Sequence, residues 1–415
     1  MPALFDLSQS HSIPVHFSII AVDRVALSEG ALRKRLHEGV RKFARSGKAA
    51  LKEWNEFARH IRYLQGEFKS NATYKELSNQ CAGLEKEWGS KAQRIFYMAT
   101  PPSLFGEIPT FLNYAGLAAD RERSRIVIEK PIGYDLESAL ALNRTLAGAL
   151  RDMVQNHLLQ LLCLVAMEPM VSFEADEIRN KKVDVLHAVR PIPLDAVHHS
   201  TVRGQYGQGW MGGKKVRAYR EEDGVPPDSQ TETFAALRLF VDNWRWQDVP
   251  FYLRTGKRLP RQVSEIAIQF RAVPHQAFPN EATIDWQPAR LVMLIQPDEG
   301  IVLRFQAKHP GPDMVLQPVD MRFNYRESFA TPSAEAYVTL LSDVINNDAT
   351  LFMRADQVEA AWRLLMPVLD AWHASPPNDF PNYAGGTWGP DATQGLLIHQ
   401  GHSWPAPVDL AGSQK

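Results

Sequence analysis

Asp152, Asn156 and His157 stand on a stretch whose other residues are mostly apolar. Leu150, Val154, Leu158, Leu161, Leu162 and Val165 recur at helical spacing, which predicts a helix with one core-facing side. Polar groups on such a helix cost free energy unless they are paired or have chemistry to do. Histidine titrates near neutrality, so His157 qualifies as a general base that takes a proton from a hydroxyl. A lone histidine on an apolar helix is more often a satisfied core residue, and the choice depends on what else the chain carries. Three basic groups bear on it. Lys130 follows directly on an apolar strand at residues 125–129, the end of the strand outside which open α/β sheets bind ligands. Lys257 closes a glycine turn after the apolar run 251–253, a placement suited to a phosphate. Arg24 follows Asp23 at the end of a strand at 16–22. An acid there usually holds the ribose hydroxyls of NAD, and an arginine accommodates the extra phosphate of NADP, so both cofactors stay open.

The elements that must position these groups fall into two kinds. The first third alternates strand and helix: 16–22, then a helix capped by Ser28 with Leu32, Leu36, Val40 and Phe43 on one face, then strands at 94–99 and 125–129 and a helix at 135–150. That alternation predicts a parallel, doubly wound sheet. Past Pro169 strands follow one another at 235–241, 264–270, 290–296 and 301–307, with Pro297-Asp298-Glu299-Gly300 joining the last two as a hairpin. Helices return at 334–345 and 356–372, and the tail after Pro376 is expected to drape over the surface. Tyr97-Met98-Ala99-Thr100-Pro101-Pro102-Ser103 reads as a strand-loop-helix junction with Ser103 able to cap the helix. Gly207-Gln208-Gly209-Trp210-Met211-Gly212 fits G-x-G-x-x-G, but the charged residues 214–222 that follow lack the apolar stripe of a dinucleotide-binding helix, so it is read as loop.

Composition narrows the function classes. The 415 residues suffice for two domains, and 46 Lys plus Arg against 47 Asp plus Glu give no excess that argues for nucleic acid or anionic lipid. Two distant cysteines fit a reducing compartment and neither a disulfide frame nor a thiolate metal site. No apolar run reaches membrane-spanning length, and the chain reads as soluble and cytoplasmic.

The D-x-x-x-N-H helix, with Glu129-Lys130-Pro131-Ile132-Gly133 before it and Leu253-Arg254-Thr255-Gly256-Lys257 after it, resembles the glucose-6-phosphate dehydrogenase family over nearly the whole chain. Glu-Lys-Pro also occurs among glucose–fructose oxidoreductase relatives, but the second half of the chain does not look like theirs. The resemblance implies an α/β nucleotide-binding (Rossmann-like, incomplete) domain at 1–147, then an α+β substrate and dimerisation domain with a largely antiparallel sheet at 148–415. It implies oxidation of glucose 6-phosphate by NADP to 6-phosphogluconolactone, in the oxidative pentose phosphate pathway, by a homodimer or homotetramer. His157 would be the catalytic base, and Asp152 would accept hydrogen bonds from sugar hydroxyls. Lys257 would bind glucose 6-phosphate, and Lys130 would lie between sugar phosphate and nicotinamide. Arg24, Thr100 and Pro101 would face the cofactor. NAD stays open as an alternative because Asp23 stands where the family usually has a small residue. Gln262 stands where many members have a second basic residue, with Arg261 beside it.

Two family motifs are absent from the sequence. The family opens with a strand and a G-x-x-G-D-L turn, and the resemblance places Met1 inside the helix that follows. An R-I-D-H-Y-L-G-K-E motif, whose Asp orients the base and whose His, Tyr and Lys hold the phosphate, would fall before Gly148. These departures lead to the expectation of impaired turnover, with a non-catalytic paralogue, a partner subunit of a dehydrogenase or a degraded gene product as alternatives. They also predict that residues 1–145 form the less stable half.

Overall fold

In the computed structural model, residues 1–44, 51–120, 122–128, 148–271, 278–283, 286–329, 336–398 and 400–408 are described. The chain divides into two compact units, each discontinuous in sequence. Unit 1 comprises Met1–Leu146, Glu168–Val183 and Ala334–Glu359, and unit 2 comprises Ala147–Met167, Asp184–Ser333 and Ala360–Lys415.

Unit 1 alternates strands and helices as its pattern predicts. Strand β1 (Ile19–Asp23) pairs in parallel with β2 (Ile61–Gln65), and β3 (Arg94–Met98) pairs in parallel with β4 (Ser124–Ile128). Among the described residues no ladder joins the two pairs. The first strand starts three residues later than its apolar run, because Phe17 stacks on His60 at 4.1 Å and His16 on Trp88 at 5.9 Å instead of entering a ladder. Helix α1 (Pro2–Gln9) buries Ala3, Phe5 and Leu7. Helix α2 (Glu29–Phe43) starts where Ser28 accepts the amide of Ala31 at 3.2 Å, satisfying one of the free donors of the first turn. Val40 is fully buried, with Leu32 and Leu36 packed against the same cluster of Phe5, Trp54, Phe57 and Ile61. Phe43, expected on that face, is exposed instead, under the Lys42 ammonium. Helices α3 (Leu51–Ala58), α4 (Asn71–Trp88) and α5 (Glu107–Tyr114) complete the described elements that flank the strands. Leu64, Leu77, Met98, Leu112 and Leu117 form one core, to which Ile20 and Val22 of β1 and Phe96 and Ile126 of the other pair contribute. The helix expected at 135–150 falls almost wholly outside the described residues.

Unit 2 begins with helix α6, wound as a π-helix over Leu150–Leu158 and as an α-helix over Leu159–Ala166. Most of its strands lie in two antiparallel sheets. One has the order β10 (Pro250–Gly256), β9 (Phe234–Phe240), β5 (Thr201–Gly204); the other runs β11 (Ser264–Gln269), β12 (Arg290–Gln296), β13 (Gly300–Lys308), β14 (Leu316–Asn324). The hairpin through Pro297–Gly300 pairs β12 with β13 as expected.

Two expectations are corrected. The glycine motif at 207–212, read as loop, runs instead from β6 (Tyr206–Gly207) into the antiparallel hairpin of β7 (Gly209–Met211) with β8 (Lys214–Val216), turning at Gly212-Gly213. The glycine motif therefore opens no helix. The tail does not drape over the surface: β15 (Tyr383–Ala384) pairs with β6, and Tyr383, Leu396 and Leu397 are buried with Phe234 and Tyr206. The hydroxyl of Tyr383 explains its place, since it bonds both Thr233 and the carbonyl of Lys257.

Candidate functional site

The winding of α6 decides what its polar residues can do together. In an α-helix of 3.6 residues per turn, residues five apart lie about 140° apart around the axis. A π-helix bonds residue i to i+5, so Asp152 and His157, five apart, fall on one side of the helix. The switch is visible in the hydrogen bond from the Leu159 amide to the Val154 carbonyl. It is visible also in burial, which covers Leu150, Val154, Gln155, Leu159, Leu162, Cys163 and Ala166 and so takes in Leu159 rather than Leu158. Leu158, Leu161 and Val165, expected on the core-facing side, are only half-buried as a result. His157 is exposed, and Asp152 and Asn156 are half-buried.

The start of α6 has no side-chain cap of its own. Instead Ala149 donates its amide to the main-chain carbonyl of Glu232 at 3.0 Å, and Leu150 donates its amide to Glu232 Oε1 at 3.3 Å. Burial pushes the Glu232 carboxyl above the ordinary glutamate value, against the Leu150 amide and the charges of Arg151 and His373. The π-wound part of α6 packs against β9 and β10.

Lys257 follows the last residue of β10. Its amide donates to Thr233 at 2.8 Å, and its carbonyl accepts from the Tyr383 hydroxyl at 2.8 Å, so the backbone of the turn is held twice. The side chain is exposed and forms no ion pair among the described residues. Its neighbour Arg258 is taken by Glu222 at 2.8 Å, and Arg261 and Gln262 are exposed. Asp152, His157 and Lys257 thus all lie in unit 2.

The remaining candidates belong to unit 1. Arg24 is exposed beyond the end of β1, and its turn is held by Tyr63, whose hydroxyl donates to the carbonyls of Asp23 and Val25, and by Gln65, which donates to the Arg24 carbonyl at 3.3 Å. The Asp23 carboxylate accepts the Arg24 amide at 2.7 Å. Thr100 follows β3, and its hydroxyl oxygen is buried without a hydrogen-bond partner among the described residues. Pro101 is exposed, and its carbonyl accepts the amide of Leu104 at 2.9 Å. Ser103 does not cap α5, whose N-cap is Gly106, because a turn of 3₁₀ helix at Pro102–Leu104 intervenes. Lys130 lies outside the described residues.

Both Arg24 and Thr100 therefore lie beyond the carboxyl ends of parallel strands, where such sheets receive nucleotides. A guanidinium such as that of Arg24 can neutralise a phosphate, and the Thr100 hydroxyl is left with an unused hydrogen-bonding group. Among the described residues no group of three or more His, Cys, Asp or Glu is arranged for a metal ion, and no helix is long and apolar enough to cross a membrane.

A parallel α/β unit with Arg24 and Thr100 beyond its strand ends, together with an antiparallel unit bearing a histidine on an apolar helix, is an architecture that dinucleotide-dependent oxidoreductases use. Comparison with known proteins specifies the family. Residues 1–154 match the family model of the glucose-6-phosphate dehydrogenase NAD binding domain, and residues 145–405 that of the C-terminal domain. A glucose-6-phosphate 1-dehydrogenase of Chlamydia pneumoniae is 34% identical over 476 residues, covering 97% of this chain and 92% of that protein. Another, from Aggregatibacter actinomycetemcomitans, is 35% identical, covering 99% and 94%. A solved glucose-6-phosphate dehydrogenase in complex with its substrate glucose 6-phosphate superposes with a TM-score of 0.84 at 29% identity, covering 98% of this chain and 95% of that one. The chain belongs to the glucose-6-phosphate dehydrogenase family, and by family it is an oxidoreductase with an NAD(P)-binding domain.

Sequence reasoning missed Glu232, Thr233 and Tyr383. Nothing in Thr231-Glu232-Thr233 announces a partner 82 positions away, the separation of Leu150 from Glu232. One available signal was a glutamate placed two residues before a strand that then runs wholly apolar through Phe234, Ala235, Ala236 and Leu237.

Proposed function

We propose that this chain oxidises glucose 6-phosphate at C1, with NADP as hydride acceptor, to 6-phosphogluconolactone. The observation that carries the reading is the π-wound segment that sets Asp152 and His157 on one side of α6. His157 takes the proton of the C1 hydroxyl, Asp152 accepts hydrogen bonds from the sugar, and the Lys257 ammonium neutralises phosphate. Lys130 completes the substrate contacts and also meets the cofactor, as the resemblance implies. Bound NADP supplies the acceptor for the hydride; Arg24 holds its adenosine phosphate, and Thr100 and Pro101 line its nicotinamide half. Asp23, whose carboxylate accepts the Arg24 amide, leaves NAD open as an alternative acceptor.

We also infer slow turnover. The R-I-D-H-Y-L-G-K-E motif is not in the sequence, and the relatives align over 476 residues with a chain of 415. Loss of the carboxylate that orients a catalytic histidine costs about 10⁴ in turnover where it has been measured in a protease triad. The unit-2 sheet exposes Val319, Met321 and Phe323 on one face of β14, with Ile301 opposite Phe323, and that apolar face supports a homodimer. Neither Cys81 nor Cys163 is in a disulfide, in keeping with a cytoplasmic location.

The test is steady-state reduction of NADP with glucose 6-phosphate, alongside calorimetric titration of each ligand. Slow turnover, abolished by His157→Asn with substrate binding retained, is the expected result. Turnover at an ordinary enzyme rate of about 10 s⁻¹ would refute the slow-turnover reading. Activity surviving His157→Asn would refute the assignment of the base. Failure to bind either ligand would refute the catalytic reading in favour of a non-catalytic paralogue.

A further inference from the structure

Two consecutive residues, Glu232 and Thr233, tie together parts of unit 2 that are distant in sequence. Glu232 receives both leading amides of α6, one on its main-chain carbonyl and one on its carboxylate. Thr233 receives the Lys257 amide on its carbonyl at 2.8 Å, and its hydroxyl accepts the Tyr206 amide at 3.0 Å and meets Tyr383 at 3.0 Å. Thr233 is fully buried, so it offers a fixed point. Two glycines record how closely the parts approach. A Cβ on Gly148 would lie 2.3 Å from Glu232 Oε1, and a Cβ on Gly256 would lie 2.7 Å from Cδ2 of Phe234. The head of α6 and the turn bearing Lys257 are thus pressed against residues 232 and 234 and hydrogen-bonded to residues 232 and 233.

The first amides of a helix have no partner within it, and an acceptor placed there sets where the helix begins and how it is aimed. A carboxylate in that position also meets the positive end of the helix dipole. Arg151, in the first turn of α6, and His373 face the same carboxylate.

We propose that Glu232 is a positioning residue for the reaction: its carboxylate fixes the head of α6, and with it Asp152 and His157, relative to the Lys257 turn held by Thr233. The proposal rests on the catalytic reading above for the roles of His157 and Lys257. It specifies the acceptor geometry rather than the charge as the working feature. Glutamine keeps an oxygen at the same reach and loses the charge, whereas aspartate keeps the charge and withdraws the oxygen by one methylene.

The experiment compares Glu232→Gln, Glu232→Asp and Glu232→Ala in the full chain. It reads the His157 imidazole resonance and its titration by NMR, glucose 6-phosphate affinity by calorimetry, and kcat and KM, with thermal melting as a check on folding. Glutamine should leave the His157 resonance in place and affinity within about twofold. Aspartate and alanine should move the resonance and lower kcat by about 10- to 100-fold, the scale of an ångström-sized misplacement. The reverse order, with aspartate like the parent and glutamine impaired, would replace positioning by charge and overturn the proposal. An aspartate variant that folds and matches the parent in every reading would overturn it too, even if alanine fails to fold. If the parent chain neither binds nor oxidises glucose 6-phosphate, the catalytic reading fails, while the His157 resonance still decides the positioning.

Discussion

The two units hide their strand edges to very different extents. In unit 2, β9 has a hydrogen-bonded neighbour on both sides, as do β12 and β13. Phe234, Ala235, Ala236 and Leu237 are fully buried in the middle of such a ladder. In unit 1 each of β1, β2, β3 and β4 has a single hydrogen-bonded neighbour among the described residues. No residue of β1 is buried, and of β3 only Met98 is. The groups assigned to chemistry inherit that difference. Glu232, Thr233 and Lys257 extend from strands of an antiparallel sheet, whereas Arg24 and Thr100 sit on turns after strands that, among the described residues, are paired on one side. A site is held best where its backbone is held by elements that cannot open singly.

Hydrogen exchange under native conditions tests the comparison most strongly. A parallel strand directs part of its amides to each side, so a strand with one partner leaves some of them to other acceptors or to water. Local opening free energies range from near zero up to that of global unfolding. Amides of β9 and β12 should therefore exchange at least about 100-fold more slowly than those of β1 and β3. Equal protection in the two sets would show that the strand pairs of unit 1 open only with the whole molecule.

A matched pair of glycine replacements should give a smaller difference, of opposite sign in the two units. Gly39 lies inside α2 with nothing within 4 Å of an added Cβ, so Gly39→Ala gains helix propensity without a clash. It should stabilise the chain by about 0.5–1 kcal/mol. Gly148→Ala would place its Cβ 2.3 Å from Glu232 Oε1 and should cost about 1–3 kcal/mol, with a loss of glucose 6-phosphate affinity that Gly39→Ala does not share. Urea denaturation of both variants reads the sign directly. A neutral Gly148→Ala would mean that the Glu232 carboxylate gives way without cost, and the contrast between a tightly held and a loosely held unit would lose its local support.

How much of this was legible in the residues follows the same division between local and distant causes. The start of α2 at Ser28 and the turn Pro297–Gly300 are set by neighbours in sequence, and both could be read there. So could the place of His157 as a polar group on an otherwise apolar helix, where it is exposed, whereas its role is implied only by the family resemblance. The π winding could not: the extra residue per turn is taken up because Leu159 rather than Leu158 meets the core. Strand β14 was missed because Pro318 interrupts its pattern, a residue tolerated there because β14 is an edge. Tyr383 and Glu232 owe their places to partners far along the chain, and single-sequence periodicity carries no trace of such pairings.

The pH dependence of stability offers the finest comparison, because Glu85 in unit 1 and Glu232 in unit 2 show opposite balances of forces. In unit 1, Glu85 braces β3 and β4 through Arg94 at 3.0 Å and Arg123 at 2.8 Å and accepts the Ala92 amide at 3.2 Å. Burial alone would raise its carboxyl, but the amide and the two guanidinium groups prevail and hold it below the ordinary value. A depressed carboxyl contributes stability that is present above its unfolded value and lost as pH falls through the folded one. In unit 2 burial prevails at Glu232 over the Leu150 amide, Arg151 and His373, and the carboxyl is raised. The folded chain then binds that proton more readily than the unfolded chain does. Its contribution is fully present below the ordinary glutamate value and declines as pH rises through the raised one. Glu85→Gln should flatten the acid limb of the stability profile, and Glu232→Gln should remove part of the decline on its neutral side. Urea midpoints measured across the carboxylate range and up to neutrality check both. If Glu232→Gln steepened the decline, the carboxylate would be held in its charged form by Arg151 and the amides of α6, and burial would not be the stronger force at the head of that helix.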